Sequence, residues 1–280
     1  MDYRKRFVVP SGERVALDQI DPAFKGKHQD KAGAAAEMEC DIGKLSDLQY
    51  LLYAGAQHSL LIVLQGLDAA GKDGTIAHVF RGLNPQGARV CAFKQPSREE
   101  SAHDFLWRVH AAAPARGEIV IFNRSHYEDV LIVRVHNLVP SAVWSQRYDL
   151  INVFEKNLAD AGTTILKFYL HMSPQEQLKR FKSRLDDPTR QWKISEDDYK
   201  ERTYFPAYLR AYEDVLEKTS TSYAPWFIIP SDHKWFRNLA VSKIVVDTLD
   251  SLGMTLPRTT VDLDDIRHKY HQAKRKEKQT

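Results

Sequence analysis

A run from Gly66 to Thr75, Gly66-Leu-Asp-Ala-Ala-Gly71-Lys72-Asp73-Gly74-Thr75, holds the residue types that grip phosphate. Its glycines let the backbone turn so that N–H groups face phosphate oxygens. Lys72 supplies a cation for the transferring group. The spacing matches G-x-x-x-x-G-K, the Walker A pattern. Two positions depart from its usual form. The residue after Lys72 is Asp73 rather than Ser or Thr, with Thr75 two places on, and Asp68 puts a carboxylate inside an anion-binding loop. Like charges about 4 Å apart repel by about 4 kcal/mol at a surface-like dielectric. Asp68 therefore calls for a cation between itself and the phosphates, and Mg²⁺ takes carboxylate and phosphate oxygens together. A solvated turn aspartate is the plainer alternative. Asp73 is accounted for by the dipole of the helix that follows.

A second polar cluster, Asn123-Arg124-Ser125-His126-Tyr127-Glu128-Asp129, follows the apolar run Glu118–Phe122. Ser125 and Glu128 have the spacing of a helix capping box. That leaves Arg124 to clamp phosphate and Asp129 to complete metal coordination with Asp68; Glu128 can serve both as cap and near the metal. His126 reads as a packing or hydrogen-bonding residue rather than a base. A third cluster opens at Ser173-Pro174, a helix start, and carries Lys179, Arg180, Lys182 and Arg184. Arg180 and Arg184, four apart, share a face. Arg190, Trp192 and Lys193 follow Asp187-Pro188, and a second helix starts near Ser195. Two helices joined by a basic turn resemble the lid of a nucleotide kinase, which closes over phosphates and excludes water.

The elements that must position these clusters are legible as periodicity. Apolar runs at Ser59–Leu64, Arg89–Phe93, Glu118–Phe122, Thr164–Leu170 and Trp226–Ile229 fit strands buried on both faces. Helical patterns separate them, beginning with 30–57. The alternation predicts a doubly wound parallel α/β sheet with ligands at the carboxyl ends of its strands. Residues 1–30 read as an irregular arm. With 280 residues, 43% of them hydrophobic, one P-loop domain accounts for the chain, carrying a lid insertion at 174–205 and a basic tail at 259–280. The tail cations, Arg267 to Lys278, read as solvated helix surface. Membrane spans, signal peptides, zinc-finger spacing and aromatic RNA-binding signatures are not seen. Cys40 and Cys91 show no metal or redox spacing, which predicts a reduced, cytoplasmic setting.

Taken together, Gly66–Gly74, Phe122–Asp129, Lys179–Arg184 with Asp187-Pro188 and Trp192-Lys193, and Tyr223-Ala-Pro-Trp226 with Ile229-Pro230 resemble the polyphosphate kinase 2 family over nearly the whole chain. The resemblance implies a three-layer α/β/α, thymidylate-kinase-like P-loop fold with a helical lid. It implies Mg²⁺-dependent transfer (Mn²⁺ being the alternative ion) between inorganic polyphosphate and nucleoside mono- and diphosphates, without nucleic-acid or membrane partners. Homotetramers are common in the family. Asp68, Lys72, Arg124, Asp129, Arg180 and Arg184 fall on positions implied to be catalytic, and Asp68, Asp129 and Glu128 on positions tied to metal. Gly66, Ala69, Ala70, Gly71, Asp73, Gly74, Thr75, Asn123, Glu128 and Lys193 surround the bound phosphates in the same reading. Asn123, where class I members carry Asp, resembles class III, which is associated with both AMP and ADP. Two rivals share parts of the pattern: an ATP-dependent nucleoside or nucleotide kinase, and a non-catalytic polyanion-binding protein. Asp68 within the loop counts against both.

Overall fold

The computed structural model describes residues 1–28 and 30–277; Lys278 of the basic tail lies outside the described residues. Five parallel strands form the sheet: β1 Ser59–Gln65, β2 Ala88–Ala92, β3 Ile119–Asn123, β4 Thr163–His171 and β5 Trp226–Pro230. They lie in the order β2-β3-β1-β4-β5. Each strand falls within a residue or two of its apolar run, but β2, at the edge of the sheet, is not buried on both faces as expected: Arg89, Val90 and Ala92 are exposed. β1 is central, pairing with β3 through Leu60↔Ile119 and with β4 through Leu60↔Thr164. Its side chains alternate between two cores. Leu60, Ile62 and Leu64 enter one, and Leu61 and Val63 the other. Both faces are therefore covered, which is why the sequence reads as a continuous apolar run.

The helices are α1 Tyr3–Phe7, α2 Lys31–Gly55, α3 Lys72–Val79, α4 Trp107–Ala112, α5 Ile132–Val135, α6 Ser141–Trp144, α7 Arg147–Asp160, α8 Pro174–Asp186, α9 Glu196–Thr203, α10 Phe205–Thr219, α11 Lys234–Asp250 and α12 Leu263–Glu277. Helices α2, α3 and α11 cover the first core, and α7 and α10 the second. The result is a three-layer α/β/α P-loop architecture. Local signals set the helix starts nearest the site. Ser173 Oγ accepts from the Glu176 N–H at 3.1 Å, with Pro174 in the first turn, and Ser195 with Asp198 forms a capping box for α9.

The irregular arm expected over 1–30 is in part helical and packed. Tyr3 and Phe7 are buried, and both rings meet Phe236 of α11, at 6.1 Å each. Val8 makes an antiparallel bridge to Phe227 of β5. The Asp, Gly and Pro content of residues 10–30 masked these few apolar anchors. Among the described residues no helix is long and apolar enough to cross a membrane.

Candidate functional site

The loop between β1 and α3 passes through three residues of positive φ, Gly66 at 152°, Ala69 at 64° and Gly71 at 108°. Lys72 opens α3, and the first-turn amides of that helix, with its positive dipole end, face the strand ends. The Lys72 side chain is buried and donates to Gly66 O at 2.6 Å and Leu67 O at 3.4 Å. Burial, aided by the Arg124 charge, lowers its pKa to about 8 against the pull of Asp68, Glu128 and Asp73.

Arg124 follows β3 in a left-handed conformation, φ 61°, with its N–H on Leu64 O at 3.1 Å. For a non-glycine residue this costs on the order of 1–3 kcal/mol. The turn sends the guanidinium to Asp68, Nη2 to Oδ1 at 2.9 Å, with Glu128 at 4.0 Å from Nη1. Glu128 accepts from the Gln65 amide at 3.1 Å; burial pushes its carboxyl pKa up, opposed by Arg124 and Lys72. The expected capping box at Ser125 takes another form, for Ser125 Oγ accepts from the Tyr127 N–H and leaves the Glu128 carboxylate to Gln65. His126 is fully buried against Glu155 Oε1 at 3.2 Å. Glu155 also receives the buried Lys167 ammonium at 2.5 Å, which anchors this turn to β4.

Two cavities meet at Asp68 and Arg124, which line both. The larger, about 1010 Å³, is walled by ten lysines and arginines against two carboxylates, Asp68 and Asp73. The smaller, about 220 Å³, is walled by Leu131, Ile132, Phe205, Tyr208 and Tyr212, together with Asp68, Glu128, Arg124 and Arg202. Asp68, Ala69, Gly71, Lys72, Asp73, Gly74, Asn123, Arg124, Arg180, Arg184 and Lys193 line the larger cavity, and Gly66 and Glu128 the smaller. Ala70 and Thr75 are buried behind the loop.

Asp129 is the expected site residue that the structure does not bring to Asp68. Its carboxylate meets Arg147 Nη1 at 3.0 Å and lines neither cavity; burial raises its pKa to about 6, opposed by Arg147. Arg180 and Arg184 do not act as a matched pair. Arg180 is buried and spends its donors on Glu176 Oε1 at 2.9 Å and on the carbonyls of Ala69 and Ala70 at 2.9 Å each. Arg184 donates to Lys193 O at 3.0 Å, fixing the lid turn over the cavity. Asp73 joins that turn to the strand ends, accepting from Asn123 Nδ2 at 2.8 Å and facing Lys193 at 3.8 Å. Lys31, Lys94, Lys234 and Arg237 also line the large cavity, and the sequence reading missed them. Arg237 carried a faint signal, a lone cation between Trp235-Phe236 and the apolar stretch Leu239-Ala-Val241.

Among the described residues no three His, Cys, Asp or Glu side chains gather as a metal cage. Asp68 and Glu128 in one cavity nevertheless suit a Mg²⁺ that takes most of its oxygens from phosphates and water.

Residues 28–255 match the family model described as Polyphosphate kinase 2 (PPK2). The chain is 50% identical over 258 residues to the AMP/ADP-polyphosphate phosphotransferase of Meiothermus ruber, covering 91% of this chain and 96% of that protein. It is 44% identical over 272 residues to the ADP-polyphosphate phosphotransferase of Rhodopseudomonas palustris, covering 91% and 93%. The crystal structure of polyphosphate kinase 2 from Arthrobacter aurescens TC1 superposes with a TM-score of 0.89 at 39% identity, covering 95% and 98% of the two chains.

Proposed function

This chain belongs to the polyphosphate kinase 2 family, and from that premise we propose that it transfers the terminal phosphoryl group of inorganic polyphosphate to ADP, and to AMP as well. The observation that carries the reading is the meeting of two unlike cavities at Asp68 and Arg124. The large one, with ten basic residues, suits a polyanion whose charge repeats along its length. The small one, with its aromatic and aliphatic wall, suits a nucleotide that brings one phosphate end to the junction.

In this reading Lys72 and the loop amides hold the transferring phosphoryl group. Arg124 neutralises charge that spreads over its equatorial oxygens, and Arg184 and Lys193 hold the incoming chain from the lid. Arg180 contributes its charge from behind the loop. The acceptor is already an anionic phosphate oxygen, so in-line attack needs no general base, and positioning with electrostatics suffices. Bound Mg²⁺, held by Asp68 with Glu128 behind it, would neutralise phosphate charge at the junction; Mn²⁺ has the same oxygen preference. One phosphoanhydride replaces another, so the transfer is reversible. The neutral Asn123 beside Asp73 removes a charge near the phosphates and fits acceptance of AMP.

The free thiols Cys40 and Cys91 fit a reducing cytoplasm, where the acceptors are also found. A homotetramer follows the family pattern.

The test is a panel of AMP, ADP, GMP and GDP, each with polyphosphate and Mg²⁺ and no other donor. Conversion of AMP through ADP to ATP is expected. Inertness of all four, with ATP phosphorylating a nucleoside monophosphate instead, would sink the reading.

A further inference from the structure

Arg237 lies in the first turn of α11, over 160 residues beyond the phosphate loop, yet it touches that loop directly. Its side chain is 2% exposed. Nη1 donates to Ala70 O at 3.0 Å, while Nε and Nη2 donate to Asn238 Oδ1 at 3.1 and 2.9 Å. These acceptors are neutral, and a buried guanidinium without a carboxylate is costly to keep. Arg180 Nη1 reaches the same Ala70 O at 2.9 Å, so two buried cations converge on one carbonyl oxygen. A Cβ on Gly71 would stand 1.8 Å from Arg237 Nη1, so the guanidinium is seated flush against the loop.

The geometry of the peptide unit gives that contact a consequence. In a trans peptide the C=O and the following N–H point in opposite directions. With Ala70 O held by Arg180 and Arg237, the Gly71 N–H is turned away from both. Among the described residues it meets no backbone carbonyl, whereas Ala70 N–H is spent on Leu67 O at 3.0 Å. Glycine at 71, with φ 108°, is free to rotate this peptide, and rotation would present a carbonyl to the phosphates instead of a donor.

We propose that Arg237 is a positioning residue which, with Arg180, pins the Ala70–Gly71 peptide so that the Gly71 N–H is set to donate to the transferring phosphoryl group of a polyphosphate chain. This rests on the proposed phosphoryl transfer for its catalytic consequence only. The adjacent residue, Phe236, packs on Tyr3, Phe7 and Phe24, which fixes the start of α11 and with it the guanidinium.

The experiment compares wild type with Arg237→Met and Arg237→Lys, each labelled with ¹⁵N-glycine and titrated with tripolyphosphate, alongside turnover with polyphosphate and ADP. In wild type the Gly71 amide resonance moves on addition of tripolyphosphate. In Arg237→Met that movement is lost, kcat falls about 100-fold, as for a misplaced catalytic donor, and methylguanidinium restores part of both. Arg237→Lys, which reaches one acceptor but not both, loses about 10-fold. A wild-type Gly71 amide indifferent to tripolyphosphate overturns the inference, as does an Arg237→Met protein with kcat within threefold of wild type. Should Arg237→Met fail to fold, a wild-type-like Arg237→Lys overturns it equally. If the wild-type amide moves but no nucleotide is phosphorylated, the phosphoryl-transfer reading fails and the pinned peptide stands.

Discussion

Lys72 is held in a state that changes when an anion arrives. Burial and Arg124 lower its pKa to about 8, against Asp68, Glu128 and Asp73. A bound phosphate adds negative charge within reach and raises that pKa again. Between pH 8 and the ordinary lysine value, binding must therefore draw in a proton. Calorimetry with tripolyphosphate at pH 8.5, in two buffers of different ionisation enthalpy, should show net proton uptake; buffer-independent heats would contradict this. The same shift makes kcat/KM for polyphosphate fall as pH rises above about 8. Its effect on stability has the opposite sign. In that window the unfolded chain binds the proton more tightly than the folded one, so Lys72 lets stability rise with pH. At this scale the sequence foretold that Lys72, Asp68 and Arg124 share one cavity, because a strand, a glycine turn and a helix fix where they stand. It was a poor guide to Asp129, whose partner Arg147 comes from α7 and bears no sequence relation to the motif.

The elements hold the site through contacts no local pattern announces. The turn that carries Arg124 and Glu128 is tied to the sheet by the buried His126–Glu155–Lys167 chain, in which Lys167 Nζ also donates to Tyr127 Oη at 2.9 Å and Thr219 O at 2.7 Å. Removing one charge of a buried pair leaves the other uncompensated. Lys167→Met should cost about 3–5 kcal/mol in urea melts, and pairing it with Glu155→Leu should recover part of that loss. An additive double variant would count against a coupled pair. Helices α8 and α9 start at Ser173 and near Ser195, as the sequence indicates, but their placement of the two arginines was not legible. Helical spacing puts Arg180 and Arg184 on one face; only the fold shows Arg180 turned onto loop carbonyls and Arg184 onto the lid turn. Arg184→Ala should lower kcat/KM for polyphosphate about 10-fold and raise the share of donor lost to water, since a loosened turn admits solvent. An unchanged ratio of hydrolysis to transfer would show that the lid does not exclude water.

At the scale of the whole molecule, the strand order β2-β3-β1-β4-β5 gathers residues far apart in the chain around the end of β1. Five runs and three polar clusters made the sheet and the loop legible, because inner parallel strands are apolar on both faces and end at the ligand; only the edge strand β2, with Arg89 and Val90 exposed, departs from this. The order of strands was not legible, and so neither were Lys31, Lys94, Lys234 and Arg237, which the crossovers bring to the same cavity. Nor was the small cavity beside it, whose apolar wall comes from Leu131 and Ile132 and from Phe205, Tyr208 and Tyr212 of α10, segments without a motif. That pairing of a cationic groove with a separate small pocket is the basis for assigning a polyphosphate donor and a nucleotide acceptor. The most direct test follows ³¹P resonances of the protein mixed with polyphosphate, ADP and Mg²⁺ and no other donor. The account predicts that polyphosphate shortens by one phosphoryl unit for each ATP formed, its internal resonance falling while its end-group resonance holds. Polyphosphate that stays intact, or that releases orthophosphate without ATP, would contradict it.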